Sequence, residues 1–101
     1  MDATLVALAD PMRRQMIDLL ITGPHRAGDL GRGLPISQPA ASRHLRVLRD
    51  AGLVFAERIG REQHYHLTPD GFRDVQLYAE RTAKFWSLAL HRFKEHAEGR
   101  P

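Results

Sequence analysis

The chain has 101 residues, of which 43% are hydrophobic and none is cysteine, so it can bury one modest core and form no disulfide or thiolate metal site. Fifteen basic residues against twelve acidic ones give a net charge of +3, which only weakly favours a polyanionic partner. Since the sequence has neither a long apolar run nor a secretory signal pattern, we expect a cytoplasmic protein that forms a single domain over residues 1–101.

Two weak helices are predicted on either side of a strong one. Residues 3–9 are apolar on every side, so this first helix needs cover on more than one face. Asp10 followed by Pro11 is a typical helix start, and the apolar spacing that follows predicts a core helix over residues 11–22. Residues 26–34 keep helical spacing but contain three glycines, so packing must hold that helix.

The helix predicted over residues 38–51 has two chemically different sides. Ser37 is a good N-cap, and Gly52 can adopt the left-handed conformation that ends a helix. At about 100° per residue, Ala, Leu and Val fall on one side, whereas Arg, Gln and Ser fall on the other. These polar side chains suit base edges in the major groove of DNA. The residues predicted to contact DNA from this helix are Gln38, Pro39, Ser42, Arg43, Arg46 and Arg49.

The elements around this helix predict a fold that is mainly α with a small β-hairpin. Residues 34–36 join two helices through a short turn, which is the helix-turn-helix arrangement. After Gly52 the spacing of apolar residues changes from helical to alternating, which predicts strands over residues 53–59 and 63–67. A hairpin in this place is a wing. Arg58 and Arg61 lie at its turn, where we expect them to hold the phosphate backbone.

A long C-terminal helix is predicted over residues 69–97, because Thr68-Pro69 repeats the start signal of an N-cap followed by proline. Its apolar surface is wider than the small body of the domain can cover. We therefore predict a twofold homodimer in which this helix pairs together with the first helix. The predicted interface residues are Leu5, Val6, Leu8, Phe72, Val75, Ala79, Thr82, Trp86, Ala89 and Phe93. The alternative is a monomer whose last helix folds back in two pieces.

Motifs spread over nearly the whole chain carry a family resemblance. They are Leu8-Ala9-Asp10-Pro11 with Arg13-Arg14, Ser42-Arg43-His44-Leu45, Ala51-Gly52-Leu53-Val54, Gly60-Arg61 and Tyr65-x-Leu67-Thr68-Pro69. In these motifs the sequence resembles the ArsR-type family of bacterial winged helix-turn-helix repressors. The resemblance implies a dimer that pairs through its first and last helices, binds a palindromic operator and represses transcription.

The sequence departs from the metal-sensing members of that family at their ligand positions. The resemblance implies that a metal-sensing member would carry a cysteine pair in the helix before the recognition helix, which is the DNA-contacting helix predicted here over residues 38–51. The matching residues 25–30 contain no cysteine. When the zinc-ligand pattern of the last helix is aligned at Asp74, its other three ligand positions are occupied by Gln76, Ser87 and Leu90. None of these three residues is a zinc ligand. The chain therefore resembles the non-metal branch, and we expect no metal and no other cofactor.

Roles are also predicted for other polar residues. Arg13 and Arg14 begin a helix on its expected solvent side, where each either solvates the helix or touches a phosphate. His44 falls on the apolar side of its helix, which predicts a packed, hydrogen-bonded histidine rather than a base reader. His64 and His66 share one face of a strand and are expected to point outward. Since no nucleophile or acid–base pair is recognisable, we expect no enzyme.

Three functions are weighed. The first is a homodimeric repressor of an inverted-repeat operator, in which Gln38, Ser42 and Arg43 reach base edges or nearby phosphates, and Arg46 either reads guanine or clamps a phosphate. The second is a winged-helix interaction module that uses its long apolar helix to bind another protein. The third is a metal-responsive repressor with His and carboxylate ligands at a dimer interface. The sequence indicates no membrane partner and leaves the inducer open.

Overall fold

In the computed structural model, which describes residues 1–98, helices surround a small three-stranded sheet. The elements in chain order are α1 Asp2–Leu8, α2 Pro11–Ile21, β1 His25–Arg26, α3 Ala27–Arg32, α4 Gln38–Asp50, β2 Val54–Ile59, β3 Glu62–Leu67 and α5 Arg73–Glu98. The predicted mainly helical winged fold is confirmed. The last three residues of the predicted 1–101 domain lie outside the described part.

Helix α2 begins where the sequence predicts, because Asp10 caps it. The Asp10 carboxylate accepts hydrogen bonds from the backbone N–H of Met12 at 2.7 Å and of Arg13 at 3.3 Å, and Pro11 occupies the first turn. The apolar side of α2 buries Met16 and Leu20 in the core. The core residues come from α1 to α4 and the sheet: they are Ala7, Met16, Ile17, Leu20, Leu30, Leu34, Ala41, Leu45, Leu48, Leu53, Val54 and Tyr65.

Helix α3 is shorter than the predicted 26–34, and it lies directly against α4. Arg26 belongs to a strand instead, and the chain turns after Arg32. A Cβ atom on Gly31 would lie 2.8 Å from the Cβ of Ala41, so only glycine allows this close approach of the two helices. The glycine that weakens α3 as a helix thus sets its distance from α4.

The sheet has the order β1-β3-β2, and both pairings are antiparallel. The hairpin of β2 and β3 is confirmed to within one residue at each end. Ile59 pairs with Glu62 across a two-residue turn, in which Gly60 has a φ of 64°. Strand β1 was not predicted, because two residues are too few to show an alternating pattern.

Helix α5 begins at Arg73, so the prediction that it starts at Pro69 is wrong. Thr68 donates its backbone N–H to the carbonyl of Leu53 at 2.9 Å, which keeps the chain beside the sheet at this point. A Cβ atom on Gly71 would lie 2.6 Å from the carbonyl oxygen of Gly52, so residues 68–71 form a tight turn against that backbone. Tertiary packing overrides the local signal for a helix start.

Beyond this turn, α5 runs as one helix from Arg73 to Glu98 and buries none of its residues. The predicted alternative in which it folds back in two pieces is therefore wrong. The described chain measures 72 × 27 × 23 Å, because α5 projects away from the body. No helix within residues 1–98 is long and apolar enough to span a bilayer.

Candidate nucleic-acid interface

Helix α4 presents its polar side to solvent because its ends and its apolar side are both fixed. The Ser37 hydroxyl accepts a hydrogen bond from the backbone N–H of Ala40 at 3.2 Å, and Gly52 ends the helix with a φ of 76°. Leu45 and Leu48 are buried beneath it. All six residues predicted to contact DNA from this helix are exposed: Gln38, Pro39, Ser42, Arg43, Arg46 and Arg49.

One residue of the predicted packed side departs from the expectation. Val47 is 36% exposed, and it lines a groove between α1 and α4 together with Ala3, Val6, Ala51 and the charged Asp50. The groove exists because α1 is short and covers only part of α4. Apolar surface therefore continues from α1 onto the edge of the recognition helix.

The arginines of α4 carry charge that the protein does not neutralise. Among residues 1–98, Arg43, Arg46 and Arg49 make no ion pair or side-chain hydrogen bond. By contrast, Arg26 and Arg32 are both paired with Asp29. Three unpaired guanidinium groups on one exposed helix face are the kind of group that attracts an external anion.

The wing adds two exposed arginines at the tip of the hairpin. The guanidinium of Arg58 donates to the carbonyl of Gly60 at 3.2 Å, which holds that side chain against the turn. Arg61 occupies the turn itself and has no acidic partner in the described chain. The structure therefore places both predicted wing residues beside the same turn, at the end of the sheet remote from α5.

His64 and His66 lie on the outer face of the sheet, as predicted, but both have acidic partners. His66 Nε2 lies 3.0 Å from a Glu57 oxygen, and its ring stacks on Phe55 with centroids 5.0 Å apart. His64 Nε2 lies 3.4 Å from a Glu62 oxygen. These carboxylates make the outer sheet face a poor surface for phosphate, in contrast to α4.

An ion-pair network connects the helix-turn-helix to the wing. Arg26 contacts Asp29 at 3.1 Å and Glu62 at 3.3 Å, and Arg32 contacts Asp29 at 3.2 Å. The hydrogen bond from Arg26 lowers the pKa of Asp29, and the same bond raises the pKa of Arg26. Both groups therefore stay charged at neutral pH. The network joins α3 to β3 of the wing. Because α3 packs against α4, the network helps to fix the position of the wing relative to the recognition helix.

Arg13 is a structural residue, and the prediction that it lies on the solvent side of its helix is wrong. Its Nε donates to the carbonyl of Ala7 at 2.6 Å, and its Nη2 donates to that of Val6 at 3.1 Å. These carbonyls lie in the last turn of α1, where a helix runs short of internal donors, although that of Val6 also accepts from the backbone N–H of Ala9 at 3.2 Å. Arg14 donates in the same way to Leu8 at 2.7 Å. Both arginines therefore cap α1 from α2, a role that an arginine pair just after a short helix could have suggested.

The same guanidinium reaches the recognition helix. Arg13 Nη1 lies 3.2 Å from Nδ1 of His44, which agrees with the prediction that His44 is hydrogen-bonded rather than a base reader. Because a guanidinium can only donate, Nδ1 accepts and the ring carries its proton on Nε2. Burial acts to raise the pKa of nearby Asp10, but the backbone hydrogen bonds from Arg13 and Met12 and the charge of Arg13 lower it overall. Arg13 thus connects α1, α2 and α4.

Replacing Arg13 with alanine is expected to lower the free energy of unfolding by roughly 2–3 kcal/mol, because it removes three hydrogen bonds of a charged, half-buried group. Lysine should restore only part of this loss, since an ammonium group cannot bridge the three acceptors. Chemical denaturation at a fixed protein concentration measures the change. Arg14→Ala, which removes a single exposed bond, is the matched control and should cost less than about 1 kcal/mol. An Arg13→Ala variant as stable as this control would contradict the capping role.

The predicted dimer residues form an apolar surface on the single chain. Leu5 and Val6 of α1 are 44% and 65% exposed, and Trp86 and Phe93 of α5 are 58% and 72% exposed. Among the others, Ala79 is exposed, and the half-buried ones are Leu8, Phe72, Val75, Thr82 and Ala89. Large side chains of this kind rarely stay in water along a whole helix.

The described residues contain no group of three or more His, Asp or Glu side chains placed to hold a metal ion. The nearest approach to a metal pair on α5 is His91 with Glu95, at 3.0 Å, and both side chains are well exposed. Two exposed ligands on one helix do not close a coordination shell.

A helix-turn-helix followed by a hairpin, with unpaired arginines on the second helix, defines a winged helix-turn-helix protein. Residues 10–55 match the family described as "Bacterial regulatory protein, arsR family". The chain is also 40% identical over 89 residues to the HTH-type transcriptional regulator Rv2034 of Mycobacterium tuberculosis, which covers 88% of this chain and 80% of that protein. The chain belongs to the arsR family.

Two further proteins are similar over most of the chain. The transcriptional repressor SdpR of Bacillus subtilis is 35% identical over 74 residues, which are 73% of this chain and 82% of that protein. The homodimeric winged helix-turn-helix DNA-binding domain of Mb0332 from Mycobacterium bovis superposes with a TM-score of 0.64 and 27% identity, covering 98% of this chain and 82% of that one. The predicted family and fold are thereby confirmed.

Proposed function

We propose that this protein is a homodimeric transcriptional repressor that binds an inverted-repeat operator in double-stranded DNA. The observation that carries the proposal is the exposed face of α4, where Arg43, Arg46 and Arg49 have no partner within the described chain. The arsR family and the repressor SdpR, to which the chain is similar, support a regulatory role. As a repressor it would act in the cytoplasm, as one domain and without catalysis.

The proposed contacts with DNA are made by two groups of residues, one for base edges or nearby phosphates and one for the phosphate backbone. Base edges or nearby phosphates are reached by Gln38, Ser42, Arg43 and Arg46, with Pro39 packed close to the groove at the first turn. The backbone is held by Arg49 on α4 and by Arg58 and Arg61 on the wing. Base contacts carry the sequence preference, and phosphate contacts fix the position of the protein on the duplex.

The proposed dimer pairs α1 and α5 of one protomer with those of a second copy. Its interface consists of Leu5, Val6, Leu8, Phe72, Val75, Ala79, Thr82, Trp86, Ala89 and Phe93. The homodimeric state of the Mb0332 domain supports this arrangement, because that domain shares the fold. A twofold axis through α5 would direct both α4 helices to successive major grooves, with half-sites about 34 Å apart.

The other functions have less support. A protein-interaction module would not need three unpaired arginines on α4, and the described residues of one chain bring together no ligand set that would favour a metal-responsive repressor. Neither alternative uses the wing, whose arginines lie beside an exposed turn. The DNA-binding proposal uses α4, the wing and α5.

Replacing Arg43 with alanine tests the proposal directly. We expect binding to the duplex that the wild type selects from a random pool to weaken by roughly 1–3 kcal/mol per half-site, or about 5- to 150-fold. The preference should relax at one base pair of each half-site, since a bidentate contact to guanine would be lost. Fluorescence anisotropy with single-base variants of the duplex measures both effects. An equal loss on all sequences would contradict base reading by Arg43.

A further inference from the structure

A recess opens beside the recognition helix, where α3, α4 and β3 meet. It has a volume of about 150 Å³ and is lined by Ala27, Ser42, Leu45, Arg46, Arg49 and Tyr65. One ordered water needs only roughly 10–15 Å³ of such space, so the recess can hold a phosphate group. It adjoins the exposed side of α4 that carries the proposed DNA contacts.

The polar groups that line the recess favour a negatively charged occupant. Arg46 and Arg49 contribute guanidinium groups, which only donate hydrogen bonds, and Ser42 contributes a hydroxyl group. No Asp or Glu side chain lines the recess. Since neither arginine is paired elsewhere in the described chain, two positive charges meet here without compensation. A tetrahedral oxyanion satisfies this arrangement.

Tyr65 adds a hydrogen-bond donor to the wall of the recess. The residue is 9% exposed, and its strand position lies between His25 of β1 and Ala56 of β2. Its phenolic hydroxyl group makes no hydrogen bond within the described residues, and the hydroxyl oxygen is still open to solvent. The hydroxyl group is therefore available to donate to an acceptor oxygen of an occupant of the recess.

We propose that the recess binds one phosphate of the DNA backbone in each half-site, which rests on the proposed DNA-binding function. The groups that hold this phosphate are Ser42, Arg46, Arg49 and the hydroxyl of Tyr65. Arg46 is then a phosphate clamp rather than a guanine reader, and Arg43 is left as the arginine that reads bases. The backbone of DNA is the source of the anion because the recess borders the helix that enters the major groove.

Removing single groups from the recess tests the proposal. Tyr65→Phe keeps the buried ring and removes only the hydroxyl group, and we expect a loss of DNA affinity of roughly 5- to 150-fold for the dimer, because one hydrogen bond is lost in each of the two half-sites. Arg49→Gln should weaken binding by at least as much and reduce the salt slope by about one per half-site. Both losses should be equal on the selected operator and on an unrelated duplex, because a phosphate carries no sequence information.

Two controls accompany these variants. Thr22→Val removes a hydroxyl group that donates to the carbonyl of Leu19 and does not line the recess, so it should leave DNA affinity unchanged. Thermal midpoints check that each variant is folded, and they are repeated with inorganic phosphate in place of chloride at equal ionic strength. If Tyr65→Phe destabilises the fold, the exposed Arg49→Gln variant still tests the recess.

The outcomes separate the possible sources of the anion. Unchanged binding of Tyr65→Phe and Arg49→Gln to both duplexes would overturn the proposal, as would a loss confined to the operator. Stabilisation of the wild type but not of Tyr65→Phe by inorganic phosphate, with DNA affinity unaffected, would show a site for a free anion and also overturn it. A wild type that binds no duplex would overturn the proposed function itself.

Discussion

Replacing Trp86 with glutamate is expected to convert the dimer into monomers and to weaken operator binding by roughly 10²- to 10⁴-fold, because the second half-site contact is no longer intramolecular. Trp86 is 58% exposed on the single chain and contacts only Phe85 among the aromatic rings, with centroids 5.7 Å apart. A carboxylate at this position would be buried without a partner in the proposed interface. The fold of each protomer should persist, since α5 contributes no fully buried residue.

Sedimentation velocity and anisotropy with operator DNA measure the two effects on the same samples. Ser87→Glu adds the same charge one residue further, on the polar side of α5, and should leave both the dimer and the operator affinity unchanged. A Trp86→Glu variant that stays dimeric, or one that is monomeric but binds the operator as tightly as the wild type, would contradict the role of this interface.

Raising the salt concentration from 50 to 200 mM is expected to reduce operator affinity by about 10³- to 10⁵-fold if the dimer neutralises roughly six to ten phosphates. The physical cause is the release of counterions from DNA when arginines replace them. Each protomer offers four arginines for this purpose, and they are Arg46, Arg49, Arg58 and Arg61.

The salt series needs one control, because α5 must remain paired throughout it. Sedimentation of the protein alone at both salt concentrations should give the same dimer. Burial of apolar surface is not weakened by salt, so dissociation of the dimer is not expected to contribute. A flat response of operator affinity to salt would mean that α4 and the wing do not hold the phosphate backbone.

The recognition helix could be predicted closely because its signals are local. Ser37 caps it and Gly52 ends it, and both act within a few residues. Its amphipathic pattern correctly separated the exposed arginines from Leu45 and Leu48, although α1 proved too short to cover Val47. The turn of the wing was predictable for the same reason, since Gly60 allows the backbone conformation that the hairpin needs.

The errors arose where distant parts of the chain decide the structure. Strand β1 exists because residues 25 and 26 pair with Tyr65 and His64, nearly 40 positions along the chain. The start of α5 is displaced from Pro69 to Arg73 by contacts with Leu53 and Gly52. Arg13 was assigned to solvent, because the carbonyls that it caps and the ring of His44 come together only in the folded protein.

In the candidate DNA interface, too, some residues could be predicted from local sequence and others depend on distant contacts. The exposed arginines of α4 and the wing could be named from spacing alone. The recess could not, because Ala27, Arg49 and Tyr65 come from three elements and meet only when α3, α4 and β3 pack together. Tyr65 in particular carries no local sign of a polar role, since its alternation with its neighbours predicts only a buried strand residue.

Selection of duplexes from a random DNA pool, followed by measurement of the number of protomers bound to each, tests the central claim most directly. We expect an inverted repeat whose half-site centres lie about 10–10.5 base pairs apart, or a multiple of that spacing, with two protomers bound per duplex. Recovery of no preferred sequence, or of a single half-site occupied by one protomer, would contradict it.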